Sequence, residues 1–356
     1  MSADKERVLV SGASGFVATH VIKQLQEAGY RVRGTVRNLK DEQKNKHLYN
    51  LCPNARHKLE LAEADLLNPE SWIEAVKGCT YVHHVASPLP VESPKHEEEV
   101  IRPAVEGAVN VLKAAAAVGT VKRVVMTSSM VAVAVRGGNK TPFTESDWGD
   151  PSDPANMAYS KSKILAERAA WDYVNSLPDN QKFEFAVVNP GFIVGPTLHG
   201  SPGTSTYIIE QLLERKMVMC PKLCFPTVDV RDVAMAHLRC MTLPEAVGHR
   251  HVIVTRNIWV IEIASVLAKE FRSQGYNVPT RQLPDGLFAF VALFNKMMKA
   301  IRLVSAKPFL IDNTRMTQIL GINPTDLNKS LIDMGYSMIE NGFIKKTSKY
   351  RGPSSS

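Results

Sequence analysis

A short strand, a glycine turn and a helix follow one another between residues 7 and 25. Residues 8–10 are β-favouring, and apolar residues recur at helical spacing beyond the turn. Gly12 can adopt backbone angles that other residues resist, and Gly15 lets the chain approach a ligand closely. The start of the helix then offers unpaired N–H groups and a positive dipole end to an anion. The stretch predicts a dinucleotide pyrophosphate site, and a turn without a ligand is the alternative for this motif alone.

Strand and helix patterns alternate along the first two thirds of the chain. Further strands are predicted at residues 31–36, 58–64, 80–85, 121–127 and 183–189, with helices at 69–76, at 97–118 and from residue 158. This alternation predicts a parallel sheet with right-handed crossovers, in which ligands bind at the carboxyl ends of the strands. The expected fold class is α/β, a doubly wound parallel sheet (Rossmann) with a smaller C-terminal substrate lobe.

The length of 356 residues accommodates a nucleotide-binding domain and a substrate lobe. We assign residues 1–195 to the NADP-binding domain, with 226–244 returning to it. Residues 196–225 and 245–345 are assigned to the substrate-binding lobe, and 346–356 to a flexible tail.

An apolar helix is predicted over residues 287–304. Lys296, Lys299 and Arg302 form a charged stripe along it. This pattern favours a helix that covers the substrate pocket or packs on it, and the alternative is a helix that lies on a membrane surface. The three cations argue against a membrane span.

The basic character of the chain does not indicate a nucleic-acid partner. The net charge is +8 and the pI is about 9.1, but lysines and arginines are scattered among 35 acidic residues. The short basic run 345–351 is interpreted as a solvated tail. Residues 1–6 are charged and lack an apolar core, so we expect no secretory signal and a cytoplasmic protein. A monomer or a homodimer is expected.

No metal site is expected from the cysteines or the paired histidines. His83 and His84 are adjacent on a predicted strand, so their side chains point to opposite faces and cannot bind one ion. We interpret both as structural. The cysteines lack a second Cys/His pair at ligand spacing and are interpreted as packing thiols; the five are Cys52, Cys79, Cys220, Cys224 and Cys240.

The end of the second predicted strand bears on cofactor choice. An enzyme that prefers NAD usually places Asp or Glu there to bind the ribose 2′-hydroxyl, whereas this chain has Arg37. A guanidinium can bind a 2′-phosphate with two charge-assisted hydrogen bonds, so NADP(H) is the expected cofactor. Lys44 is near enough in sequence to assist. Arg33 either assists too or is a surface charge.

A serine, a tyrosine and a lysine together suggest carbonyl reduction by hydride transfer. Ser128 and Ser129 follow the fifth strand, and Tyr159 and Lys163 are four residues apart on the next helix. A phenol titrates near pH 10, so we expect the Lys163 ammonium to lower the pKa of Tyr159 and make it a proton donor. Ser129 would hold the carbonyl oxygen while charge builds on it.

The chain resembles the extended short-chain dehydrogenases/reductases, in the branch of plant dihydroflavonol 4-reductase, cinnamoyl-CoA reductase and yeast methylglyoxal reductase. The resemblance covers about residues 7–240, with a weaker echo at 321–343. It is carried by the segments 12–16, 32–37, 65–66, 77–79, 84–88, 127–129, Tyr159 with Lys163, 189–191 and 228–234.

The resemblance implies an NADPH-dependent reductase with Ser129, Tyr159 and Lys163 as its catalytic residues. It also implies that Arg37 and Lys44 lie at the 2′-phosphate and Pro190 beside the nicotinamide. The expected cofactor-binding residues are Gly12, Ser14, Gly15, Phe16, Val17, Arg37, Lys44, Asp65, Leu66, Val85, Ala86, Ser87, Thr127, Tyr159, Lys163, Pro190 and Ile193.

Departures from the branch leave the substrate open. The flavonoid reductases carry an Asn a few residues after the serine, whereas 130–135 is apolar here, and the Cys of the cinnamoyl-CoA reductase signature is absent from 156–163. We therefore expect an aldehyde or ketone reductase with an apolar pocket. Its predicted walls are residues 88–93, 130–136, 192–207 and the helix from residue 287.

Two other functions compete with this interpretation. One is a 3β-hydroxysteroid-type dehydrogenase, which would prefer NAD. The other is a regulator that binds NADP without turnover, which would have no need of the proton donor Tyr159.

Overall fold

The computed structural model describes residues 6–88, 96–153, 156–199, 203–294 and 307–353. Its strands are β1 (Arg7–Val10), β2 (Arg31–Val36), β3 (Glu60–Glu63), β4 (Tyr81–His84), β5 (Arg123–Thr127), β6 (Glu184–Pro190), β7 (Phe192–Val194), β8 (Cys224–Asp229), β9 (Arg250–Ile253) and β10 (Arg256–Trp259). Its helices are α1 (Phe16–Glu27), α2 (Glu42–Asn45), α3 (Pro69–Val76), α4 (Glu98–Val118), α5 (Ala158–Ser176), α6 (Thr204–Leu213), α7 (Val230–Thr242), α8 (Val260–Phe271), α9 (Asp285–Phe294) and α10 (Leu327–Glu340).

The main sheet has seven strands in the order β3-β2-β1-β4-β5-β6-β9, and every pair is parallel. The order reverses beside β1, which is the switch point at which such sheets bind ligands. The predicted α/β doubly wound sheet is confirmed. Helices α1 and α7 cover one face, and α3, α4 and α5 cover the other.

Residue alternation along the strands builds a separate core on each face. Val8 and Val10 of β1 pack with α1 and α7, whereas Leu9 between them packs with α3 and α4. This two-sided burial explains why the central strands are continuously apolar rather than alternating. It also fixes which face of the sheet each polar residue on a strand occupies.

The smaller lobe is built on a second sheet, in the order β10-β8-β7. Its core joins α6, α8 and α10, with Leu212, Leu267 and Leu331 fully buried. Gly191 connects the two sheets, and a Cβ at this position would lie 2.1 Å from the carbonyl oxygen of Pro226. Only glycine allows the backbone of β8 to approach so closely.

The predicted lobe boundary at residue 245 is wrong. Arg250–Ile253 forms β9, the edge strand of the main sheet, because its apolar residues complete the core beside β6. The return of 226–244 is only partly as predicted, since β8 pairs within the small sheet while α7 packs on α1. Strands β7 and β10 and helices α2, α8 and α10 were not predicted from the sequence.

The predicted flexible tail is attached to the lobe through residue 351. The Thr347 hydroxyl donates to the Gln274 carbonyl over 2.5 Å, the Tyr350 hydroxyl donates to Glu340 over 2.8 Å, and the Arg351 N–H donates to the Gln274 side chain over 3.2 Å. The segment is thus attached to the lobe, whereas its basic side chains are exposed, as expected for a solvated run; they are Lys345, Lys346, Lys349 and Arg351.

The helix predicted at 287–304 is described from residue 285 to residue 294, and the remainder lies outside the described residues. Leu287, Phe290 and Leu293 are exposed along it, and Phe288 is buried. Within the described ranges, no helix combines the length and apolarity needed to cross a membrane. The five cysteines are free thiols, four of them buried.

Candidate active site

The glycine turn between β1 and α1 is held between β2 and β4. The Gly12 N–H donates to the Thr35 hydroxyl over 3.0 Å, and a Cβ on Gly12, whose φ is +67°, would lie 3.1 Å from the Cβ of Ala86. Gly15 is the N-cap of α1, and no side-chain hydrogen bond caps this helix. The first N–H groups of α1 are therefore left to bind an anion, and this arrangement fits a pyrophosphate. The predicted binding residues Ser14, Phe16 and Val17 lie at the same turn.

A buried serine, which the sequence analysis missed, fixes the neighbouring end of β4. Ser11 Oγ accepts hydrogen bonds from the N–H groups of Val85 and Ala86, over 2.9 and 2.8 Å, and lies 3.0 Å from Nδ1 of His84. Since the hydroxyl accepts two N–H bonds, its own proton is available for His84 Nδ1. The predicted cofactor residues of segment 85–87 are thereby held rigidly beside the glycine turn.

The structure brings the three predicted catalytic residues together. Ser129 follows β5 in an extended conformation and is 9% exposed, and Tyr159 is the second residue of α5. Lys163 lies one turn further along α5, with Nζ 6.0 Å from the centroid of the Tyr159 ring. The carboxyl end of β5 and the first two turns of α5 thus place a hydroxyl, a phenol and an amine at one point.

The pKa of Tyr159 is not shifted as the sequence analysis expected. Burial raises it above the usual value for a phenol, and the interaction with Ser129 works in the opposite direction. Burial also lowers the pKa of Lys163 to about 8, opposed by the charge of Glu167. The net lowering of the Tyr159 pKa that was expected from Lys163 is not found, because burial outweighs nearby charge for this phenol.

Arg37 is the available cation at the end of β2. It is exposed and makes no hydrogen bond or ion pair with another described residue. Lys44, on α2, is largely exposed and lies 3.1 Å from Asp41. Arg33 is fully engaged by Glu60 and by the carbonyls of Ala75 and Lys77, so it is a structural residue.

Asp65 and Leu66, predicted near the adenine, differ in what they present. Asp65 is exposed, and one carboxylate oxygen accepts the Leu67 N–H over 2.9 Å. Leu66 packs against α4, where a Cβ on Gly107 would lie 2.7 Å from its Cδ2. The Leu66 side chain is thus part of the core, and only Asp65 offers a free polar group.

Thr127 does not face the predicted cofactor site with its hydroxyl. Its Oγ1 lies 2.8 Å from Nε2 of His237, on the α7 side of the sheet. Nδ1 of His237 in turn lies 3.1 Å from Nδ1 of His83. Alternation along β5 turns the side chain of residue 127 to the opposite face from residue 126, and a cofactor contact of Thr127 through its other atoms stays a prediction.

Pro190 and Ile193 lie where the two sheets meet. Pro190 is the buried last residue of β6, and Ile193, on β7, packs partly against the core beneath α1 and α7. Both therefore stand at the same carboxyl edge of the main sheet as Ser129. Their contact with a nicotinamide stays a prediction.

The predicted wall of the substrate pocket at 130–136 is mostly core. Met130, Val133 and Ala134 are buried against β9 and Phe309, and Ala132 and Val135 against Ile164. Parts of the other predicted walls, within 89–95, 200–202 and 295–306, lie outside the described residues. The apolar run after Ser129 is explained by packing rather than by substrate contact.

Three buried polar residues behind Lys163 were also missed. Glu167 pairs with Arg250 over 2.5 Å and accepts a hydrogen bond from Asn189 over 2.7 Å. Glu167 could have been noticed from its place one turn after Lys163, but no local pattern indicates Arg250. Among the described residues, no cluster of three or more His, Cys, Asp or Glu side chains could hold a metal.

Comparisons with known proteins agree with this geometry. Residues 8–255 match the NAD dependent epimerase/dehydratase family. A cinnamoyl-CoA reductase of Medicago truncatula is 35% identical over 286 residues, covering 78% of this chain and 82% of the relative. A bifunctional dihydroflavonol 4-reductase/flavanone 4-reductase of Malus domestica is 33% identical over 287 residues, covering 79% and 80%.

The structure is similar to that of Gre2 from Candida albicans, solved in complex with NADPH. The TM-score is 0.78 at 27% sequence identity, covering 95% of this chain and 99% of the other. The match therefore includes the lobe as well as the main sheet. The chain belongs to the NAD dependent epimerase/dehydratase family, and within it to the extended short-chain dehydrogenases/reductases of the cinnamoyl-CoA reductase and dihydroflavonol 4-reductase branch.

Proposed function

We propose that the protein is an NADPH-dependent reductase that converts an aldehyde or ketone to the alcohol. The observation that carries the proposal is the meeting of Ser129, Tyr159 and Lys163 at the sheet edge that also holds the uncapped start of α1. The named reductases among the relatives, and a similar structure that holds NADPH, support it.

Tyr159 is the proton donor in this proposal. Its pKa is raised by burial, so the phenol keeps its proton at neutral pH and can transfer it from Oη to the carbonyl oxygen. Ser129 holds that oxygen by a hydrogen bond while negative charge develops. Since the pKa of Lys163 is about 8, its ammonium is mostly charged at pH 7 and can favour the tyrosinate left after the transfer.

The dinucleotide is held by the backbone of the glycine turn and by Arg37. The bound cofactor supplies the hydride from nicotinamide C4. The N–H groups at the start of α1 bind the pyrophosphate, and the unengaged guanidinium of Arg37 binds the 2′-phosphate. The Asp65 carboxylate lies at the end of β3, beside the expected adenine position.

The test is a substrate panel with NADPH as reductant. Aldehydes, diketones, flavanonols, cinnamoyl-CoA thioesters and steroids are each incubated with the purified protein, and the loss of reduced-cofactor absorbance is followed. Binding of NADPH is measured separately by quenching of tryptophan fluorescence. We expect turnover of at least one carbonyl class. Tight NADPH binding without any turnover would instead indicate a nucleotide-binding regulator, and steroid oxidation with NAD would indicate a hydroxysteroid dehydrogenase.

A further inference from the structure

An ion pair lies in the core directly behind the proposed catalytic residues. Glu167 is on α5, one turn beyond Lys163, and its side chain is 0% exposed; Arg250 begins β9, and its side chain is 6% exposed. Arg250 Nε donates to Glu167 over 2.5 Å, and Nη2 approaches the second carboxylate oxygen at 3.4 Å. Charges at this depth are tolerated only when their hydrogen-bonding capacity is satisfied.

Arg250 meets this requirement by binding the loop between β5 and α5. Nη2 donates to the Ala132 carbonyl over 3.1 Å, and Nη1 donates to the carbonyls of Glu145 and Asp147 over 3.0 and 2.5 Å. The guanidinium carbon lies 3.8 Å from the centroid of the Trp148 ring. One side chain on β9 therefore holds the start of the loop that connects Ser129 to the helix of Tyr159, at Ala132, and its middle, at 145–148.

Glu167 is linked to the Ser129 backbone through Asn189. The Asn189 amide donates to Glu167 over 2.7 Å and lies 3.3 Å from the Ser129 carbonyl. The Glu167 carboxylate is thus linked to Lys163 through α5, and to Ser129 through Asn189 on β6.

We propose that Glu167 and Arg250 are positioning residues of this enzyme, which act through Lys163 and Ser129 by fixing the charge and the placement of the catalytic group. The kinetic part of the inference rests on the proposed reductase function. The electrostatic part concerns Lys163 alone and can be measured without turnover.

The charged and titratable groups around Lys163 come from three elements. Tyr159 and Glu167 face it from α5, and His84 faces it from β4. Arg250 approaches from β9 behind Glu167. His84 is neutral because burial lowers its pKa to about 3, and Tyr159 is neutral because burial raises its pKa. Glu167 is therefore the negative charge that keeps the ammonium of Lys163 protonated against burial.

Four proteins give a graded test: wild type, Glu167→Gln, Arg250→Met and the double variant. Gln removes the negative charge, so we expect Lys163 to lose its proton at lower pH. Met removes the positive charge that offsets Glu167, so we expect a shift to higher pH. In Glu167→Gln the Arg250 cation remains without its partner, whereas the double variant lacks both charges. The pKa of Lys163 in the double variant should therefore lie between those in Glu167→Gln and in wild type. Glu97→Gln is the matched control, because it breaks the ion pair between Glu97 and Lys161, a lysine on the same helix as Lys163. It should leave the Lys163 titration unchanged.

The direct readout is the ¹⁵N resonance of Lys163 Nζ in lysine-labelled protein, assigned with Lys163→Met and titrated between pH 5 and 10. The kinetic readout is the pH at which kcat for carbonyl reduction falls in the alkaline range. We expect this pH to be about one unit lower in Glu167→Gln than in wild type. Thermal unfolding and circular dichroism select the folded variants. Folded Glu167→Gln with an unmoved Lys163 titration would overturn the inference, since a merely structural pair would lower stability alone. A moved titration without any turnover would leave the inference standing and reject the proposed function.

Discussion

Two buried polar clusters on opposite faces of the main sheet satisfy their polar groups in different ways. On the face covered by α5, Lys163, Glu167 and Arg250 are charged and close to the catalytic residues. On the face covered by α7, His83 and His237 form a chain with Thr127 and Met241 that carries no charge. Both clusters are buried beneath the same strand ends. The difference holds for these two clusters and not for whole faces, since Arg123 on the α7 side is also buried and pairs with Glu184.

The neutral chain satisfies its hydrogen bonds through a single arrangement of tautomers. If Thr127 donates to His237 Nε2, then His237 Nδ1 donates to His83 Nδ1, and His83 Nε2 donates to the Met241 sulfur at 3.3 Å. Each proton then has an acceptor. Burial lowers the pKa of His237 to about 3 and that of His83 well below its usual value. This face therefore loses stability in acid, whereas the charged face depends on its ion pair.

The largest expected effect is on the charged face. Tyr159→Phe removes the proton donor and leaves the ring in place, so we expect carbonyl reduction to fall about 10²- to 10⁴-fold, the contribution typical of general acid catalysis. NADPH binding and the melting temperature should change little, because phenylalanine keeps the ring and its packing and removes only the hydroxyl. Thr127→Val on the opposite face is the contrast, since it should cost stability and leave turnover nearly intact. Similar losses of activity in both would remove the functional distinction between the faces.

The second-largest expected effect is on the free energy of unfolding of a variant that keeps only one partner of the Glu167–Arg250 pair. Arg250→Met strands the Glu167 carboxylate in the core, and removal of one partner of such a pair typically costs about 3 to 5 kcal/mol. We expect the double variant with Glu167→Gln to recover part of this free energy of unfolding, measured by urea denaturation. A double variant that is less stable than Arg250→Met would show that the Glu167 carboxylate stabilises the core without Arg250, through contacts such as the hydrogen bond from Asn189, and is not stranded there.

The neutral histidine cluster should make the stability of the protein depend on pH. Since the folded pKa of His237 lies below the unfolded value near 6.5, the unfolded state binds more protons below pH 6.5, and stability falls as the pH falls from there toward 3. Each such histidine contributes up to about 1.4 kcal/mol per pH unit in this window. His237→Gln has no proton to gain. Its loss of stability between pH 7.5 and 5 should be about 2 kcal/mol smaller than that of wild type.

This prediction is checked by urea denaturation of both proteins at the two pH values. The variant is expected to be less stable at pH 7.5, because a glutamine does not reproduce both ring contacts. The informative quantity is therefore the difference between the two pH values. Equal losses in both proteins would mean that His237 is charged or solvated in the folded protein.

The sequence indicated the parts of the site that depend on local patterns. The glycine turn, the succession of strands β1 to β6 along the chain and the i, i+4 relation of Tyr159 and Lys163 all follow from local sequence patterns. Arg250 could not be predicted, because its partner lies 83 residues away and nothing around it signals burial. The apolar run after Ser129 was misread for the same reason: packing on β9 is a long-range contact, and β9 itself was assigned to the lobe.

The pKa of Tyr159 was mispredicted because sequence gives proximity without burial. A lysine one turn away suggests attraction of charge, but the depth of the group decides which state is favoured. Arg33 shows the same limit. Its spacing from Arg37 left it as a possible phosphate ligand, and only the tertiary contact with Glu60 reveals that it is engaged.

The smallest expected effect tests this contrast between engaged and available charges on β2. Arg37→Ser removes a guanidinium that no described residue binds, so stability should hardly change. Loss of charged hydrogen bonds to a 2′-phosphate, worth about 1.5 to 3 kcal/mol, should weaken NADPH binding about tenfold or more and leave NADH binding unchanged.

Arg33→Gln is the matched control on the same strand. It breaks the contacts with Glu60 and with the carbonyls of Ala75 and Lys77, so we expect a lower melting temperature and an unchanged ratio of NADPH to NADH affinity. Titration of tryptophan fluorescence with each cofactor measures both ratios. If Arg33→Gln shifted the affinity ratio and Arg37→Ser did not, the 2′-phosphate would be bound by Arg33 and not by the exposed Arg37.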